Sequence, residues 1–120
     1  MSDDALKQAV PLDFSRLDEI TDGDMEFERE LWRTFEEGCR ERVEALEKAM
    51  RENDADQVRR QAHAMRGASA NIGAYPLEDY SKTLEAESTA GNTSHWPELG
   101  NAIRLEIEKV LEYYRENRLV

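Results

Sequence analysis

The sequence specifies an all-α protein, read as an antiparallel up-down bundle of four helices preceded by a short extra helix. Three observations carry that reading. Apolar residues recur at steps of three and four along most of the chain, and no segment sustains a period of two. Proline and glycine are scarce, at 3 and 6 of 120 residues, which excludes an all-β or disordered chain. The breaks between periodic stretches are short, as antiparallel neighbours require.

Residues 1–10 are polar and read as a flexible arm, with residues 11–120 forming one helical domain. From Pro11 the spacing Leu12, Leu17, Ile20 predicts a short first helix, closed by the turn chemistry of Thr21-Asp22-Gly23. Asp24 is positioned to cap a second, long helix. Its inward residues are expected to be Phe27, Leu31, Phe35, Cys39, Val43, Leu46 and Met50. That helix covers roughly 28 residues, about 42 Å at 1.5 Å per residue. Glutamates and arginines fill its other faces, with i,i+4 pairs such as Glu36 and Arg40.

Asp54 begins a third helix as its cap, with Gln57 completing a capping box. The buried stripe of this helix is Val58, Ala62, Met65, Ser69 and Ile72. Gly73 ends it and Pro76 prevents its continuation. A fourth helix follows Pro76 with Leu77, Tyr80 and Leu84 inward. After the loop Thr89–Ser94, a fifth runs from about Trp96 to Arg118, burying Trp96, Leu99, Ile103, Ile107, Val110 and Tyr114. Pro97 is tolerated there because it lies in the first turn.

Composition narrows the function. A net charge of −11 disfavours nucleic acid and anionic membranes as partners, since both require basic surfaces. No run approaches the ~18 apolar residues of a membrane span. The acidic start Met1-Ser-Asp-Asp-Ala has no apolar core and does not read as a signal peptide. A single cysteine, Cys39, excludes an intramolecular disulfide. These features together read as a cytoplasmic, free-standing, monomeric protein.

Against this acidic background the third helix is anomalous. From Gln57 to Leu77 there are three arginines and no acidic residue. His63 has Arg59, Arg60, Arg66 and Gly67 as its i±3 and i±4 neighbours. It stands on the shoulder of the buried stripe, so the helix has a complete core face without it. Nearby positive charge favours the neutral, nucleophilic ring, and guanidinium groups bind phosphate oxygens well. Arg66 is the best placed for that second role. Glycine in a helix interior costs up to ~1 kcal/mol relative to alanine. Gly67 is nonetheless followed by more of the stripe, which reads as clearance for a partner approaching His63.

The run Ala62-His63-Ala-Met65-Arg66-Gly67-Ala-Ser69-Ala-Asn-Ile72-Gly73-Ala74 resembles the signature of histidine-containing phosphotransfer (HPt) domains. The flanks agree: Leu12-Asp13 with Leu17, Phe35 ahead of Leu46, Asp54 before the motif and Leu84-Glu85 after it. The family usually has leucine and lysine where this chain has Met65 and Arg66. The resemblance implies a phosphorelay intermediate. His63 would accept a phosphoryl group, usually at Nε2, from the aspartate of a hybrid histidine kinase's receiver domain. It would then pass the group to a response-regulator aspartate. Such a protein is a carrier and not an enzyme with its own ATP site, and no GxxxxGK[ST] motif is present. It needs no cofactor, because the receiver supplies Mg²⁺ and the acidic pocket. The resemblance places the partner surface at Arg59, Arg60, Arg66, Gly67 and Ala70, with Ile20 and Met25 added from the first helix and its turn.

Other readings are weaker. A di-iron bundle needs Glu-x-x-His pairs, but the residues three before His63 and His95 are Arg60 and Asn92, so no metal site is expected. A pure adaptor, binding a receiver without carrying phosphate, is the alternative. His95, Gly38, Trp32 and Tyr113 read as structural.

Overall fold

The computed structural model describes residues 10–118 and contains five α-helices and no strand among them. These are α1 (Phe14–Thr21), α2 (Met25–Arg51), α3 (Ala55–Ile72), α4 (Tyr75–Thr89) and α5 (Trp96–Arg118). The arm expected over residues 1–10 lies outside the described residues except for Val10.

Each of the first three helices starts on an aspartate. Asp13 accepts from the Ser15 amide at 3.1 Å, Asp24 from Phe27 at 3.0 Å and Asp54 from Gln57 at 3.1 Å. The chain leaves α1 through Asp22 and Gly23, both at positive φ, and leaves α3 through Gly73 at φ 90°. Gly73 is required on a second count. A Cβ there would come within 2.8 Å of the Asp13 carbonyl oxygen, where the Asp13 amide donates to the Gly73 carbonyl at 2.9 Å. The start of α1 is thereby tied to the end of α3.

Successive helices α2, α3, α4 and α5 pack in turn, α5 returns against α2, and α1 lies on α2 and α3. The expected stripe of α3 is buried in full: Val58, Ala62, Met65, Ser69 and Ile72. Cys39 of α2 lies 3.9 Å, sulfur to sulfur, from Met65 of α3. Burial raises the Cys39 thiol pKa to about 12, so it behaves as an apolar core group.

Two inward assignments are wrong. Phe27 is 44% exposed and Tyr80 40% exposed. Both lie at the margin of their stripes, where one step of three or four decides which residue turns inward. Glu28 is buried in place of Phe27 and Ser81 in place of Tyr80. Ser81 satisfies itself by donating to the Leu77 carbonyl at 2.8 Å.

Glu28, 1% exposed, is the charged centre of a cluster joining α1, α2 and α5. It accepts from the Tyr114 hydroxyl at 3.2 Å and from Arg118 at 3.1 Å. Arg118 also donates to Asp18 of α1 at 2.8 Å and stacks 4.5 Å from the Phe14 ring centre. Tyr114 lies face to face on Trp32, ring centres 3.8 Å apart. By contrast, Glu106 is buried with one carboxylate oxygen lacking a hydrogen-bond partner, and burial raises its pKa.

Candidate functional site

His63 projects from the exposed face of α3, its side chain 69% accessible. It stands there because Ala62 and Met65 take the core positions on either side of it. The ring is not free to turn. Its Nδ1 lies 3.1 and 3.3 Å from the two carboxylate oxygens of Glu85, on α4. Arg66, one turn along α3, reaches the same carboxylate at 3.5 Å. Glu85 is mostly covered, with 19% of its side chain accessible, and it follows the fully buried Leu84.

Burial raises the Glu85 pKa. The hydrogen bond to His63 and the charges of His63 and Arg66 outweigh it and hold the carboxyl below its ordinary range. An ionised carboxylate can only accept, so in the neutral ring Nδ1 carries the proton and Nε2 is the nitrogen with the free lone pair.

The surface beside the ring is open. A Cβ built on Gly67 would meet nothing within 4 Å, so close helix packing does not account for the glycine. Ala70, the next turn along, is half-buried. On the neighbouring elements Met25 is 46% exposed and Ile20 half-buried.

The positive island expected around His63 is corrected in two ways. Arg59 and Arg60 do not point their charge at the ring but pair with Asp56, at 3.1 and 2.9 Å. The hydrogen bond from Arg59, with the charge of Arg60 beside it, lowers the Asp56 carboxyl pKa. The second correction is Glu85 itself, which the charge pattern of α3 could not reveal. The available signal was the Leu84-Glu85 pair, a core leucine followed by a shoulder carboxylate, on the helix expected to pack beside α3.

The Hpt domain family model matches residues 30–113. The chain belongs to the Hpt domain family. Its fold is that of a crystal structure of histidine-containing phosphotransfer protein B (HptB) from Pseudomonas aeruginosa PAO1. The TM-score is 0.86 at 28% identity, covering 91% of this chain and 95% of that one. No curated protein matches it by sequence. As an Hpt domain the chain has a histidine-phosphotransfer role in a two-component phosphorelay. Hpt domains are carriers rather than kinases, and they work with receiver domains. No helix among the described residues is long and apolar enough to cross a membrane.

Proposed function

We propose that His63 is the phosphorylated residue of this Hpt domain. It takes the phosphoryl group from a receiver-domain aspartate of a hybrid kinase and delivers it to the aspartate of a response regulator. The observation that carries the reading is the His63–Glu85 contact. It occupies Nδ1 and leaves Nε2 exposed on a ridge kept clear by Gly67.

The chemistry follows from that tautomer. The Nε2 lone pair attacks phosphorus, an N–P bond forms, and the bond from phosphorus to the acyl oxygen breaks as the aspartate carboxylate leaves. The ring becomes a cation, and the carboxylate of Glu85 lies against its Nδ1–H. In the second transfer a receiver carboxylate attacks phosphorus and the ring departs as the neutral Nδ1–H imidazole. No proton has to move in either direction, which suits a reversible carrier. Arg66 can turn from its long contact with Glu85 toward the phosphoryl oxygens. Mg²⁺ and any further acid–base groups belong to the receiver, and the domain needs neither a cofactor nor an ATP site of its own.

The partner surface is the face bearing Gly67 and Ala70, with Arg66 at one side and Ile20 and Met25 contributing. Arg59 and Arg60 lie at its edge. The domain spans residues 11–120 and acts as a cytoplasmic monomer. Its helices form an antiparallel up-down four-helix bundle with α1 as the extra element. Short connections support that arrangement, as do the pairings of Glu47 with Arg104 and Glu28 with Arg118 along α2 and α5.

The test is to incubate the chain with a receiver domain phosphorylated by acetyl phosphate and follow label that is alkali-stable and acid-labile. Wild type should take it and His63→Gln should not. Label persisting in His63→Gln refutes the assignment. Binding without labelling, in wild type, would instead mark an adaptor.

A further inference from the structure

The side of α3 facing away from Glu85 holds a second cation whose placement the reading above does not use. Gly38, in the interior of α2, has no contact with another helix that a Cβ would obstruct. A Cβ there would instead meet Nη1 of Arg42 at 2.5 Å, with Cζ at 3.4 Å and Nη2 at 3.7 Å. The glycine is the seat onto which the Arg42 guanidinium folds back, one turn toward the start of α2.

That seat faces α3. Arg42 lines a recess of about 110 Å³ with Thr34 and Phe35 of α2 and Ala68, Asn71 and Ile72 of α3. Ala68 adjoins Gly67, and Cys39, next to Gly38, touches Met65, so the guanidinium lies beside the turn of α3 that carries Gly67. It forms no ion pair or hydrogen bond among the described residues. Arg40, Arg59, Arg60, Arg66, Arg104 and Arg118 meet carboxylates, and of the arginines that do not, Arg42 is the one that lines a recess against α3.

A cation held in a recess in a chain of net charge −11, with acidic residues plentiful on its own helix, is not satisfied within the molecule. We infer that Arg42 is a specificity residue for the receiver. Seated on Gly38, its guanidinium meets a carboxylate on the rim of the receiver's acidic phosphorylation pocket, on the α2 side of the ridge. Arg66 and Glu85 face the other side. The inference rests on His63 being the transfer site. A receiver's pocket must collect carboxylates to bind its metal, so charge complementarity names the partner. An exposed arginine swinging freely would lose more side-chain entropy on docking than one already seated.

The experiment measures affinity and transfer rate between the phosphorylated receiver and four proteins: wild type, Arg42→Gln, Arg42→Glu and Gly38→Ala. Arg42→Gln should weaken receiver binding about fivefold to tenfold, and Arg42→Glu by more. The difference from wild type should shrink as salt rises. Gly38→Ala, which unseats the guanidinium without removing it, should fall between wild type and Arg42→Gln. Labelling of His63 by the small donor phosphoramidate should be unchanged in all four. Equal receiver affinity for wild type and Arg42→Glu at low salt overturns the inference, as does an equal loss with phosphoramidate. If wild type takes no label from any donor, the His63 assignment fails instead, and the two failures are told apart.

Discussion

His63 Nδ1 and Glu85 Oε1 lie 3.1 Å apart across two helices, joining an exposed ring to a largely covered carboxylate. The pair orients the imidazole and, on the proposed function, sets which nitrogen reacts. Glu85→Ala should therefore slow phosphotransfer by roughly 10- to 100-fold, the loss typical of removing a group that orients a functional imidazole. Glu85→Gln, which can still accept through its amide oxygen, should lose less. Thermal unfolding should move little in either, because His63 is largely exposed and the pair is screened. The folded carboxyl has a lowered pKa. Its contribution to stability is therefore present above the unfolded value of about 4.3 and lost as pH falls through the folded one. A pH titration of the carboxyl by NMR in wild type and His63→Gln checks this: the His63 variant should titrate nearer the ordinary value.

Gly67 separates access from packing. With nothing within 4 Å of a Cβ, Gly67→Ala should raise stability by up to ~1 kcal/mol through helix propensity alone. Gly67→Gln should leave the unfolding temperature near wild type but slow transfer from a receiver. A marked loss of stability in either variant would show a packing role for the glycine.

Glu28 should be among the costliest surface-distant positions to change. Glu28→Ala strands the Tyr114 hydroxyl and leaves Arg118 only Asp18, a loss of about 3 kcal/mol in denaturant unfolding. Burial, together with the charge and hydrogen bond of Glu28, pushes the Tyr114 hydroxyl up to about 12. Because the folded pKa lies above the unfolded one, the associated stability is complete below pH ~10 and is lost as pH rises toward 12. Tyr114→Phe should flatten that alkaline decline.

Glu106 predicts the opposite sign. Its buried carboxylate has an oxygen without a partner, so Glu106→Leu should stabilise the fold by about 1 kcal/mol at neutral pH. The folded pKa is raised, so the advantage of the protonated form is full below the unfolded value and disappears as pH rises through the folded one. The gain from leucine should accordingly be smaller in acid than at neutrality.

Much of this was legible in the chain because it depends on neighbours along one helix. The stripe Val58 to Ile72, the aspartate caps and the shoulder position of His63 all follow from local spacing. What was not legible depends on how helices lie side by side. Glu85 is 22 residues from His63, and nothing within α3 indicates which α4 side chain will meet the ring. The arginine island misled for a different reason: Asp56, one turn earlier on the same helix, pairs with Arg59 and Arg60, a local contact that the run beginning at Gln57 left out. Phe27 and Tyr80 were misplaced at stripe margins: Glu28 turned inward to partners on α5, and Ser81 turned inward to the Leu77 carbonyl one turn back.

The Glu28 cluster also sets an order in time. Asp18 of α1 waits for Arg118, 100 residues further along the chain. At ribosomal rates of about 5–20 residues per second, that interval is roughly 5–20 s. During it α1 can be held by its link to Gly73 but not by its clamp to α5. The helix that leads into Met25 is thus made early and secured late, and a nascent chain should not hold α1 in its final place until its final helix has emerged.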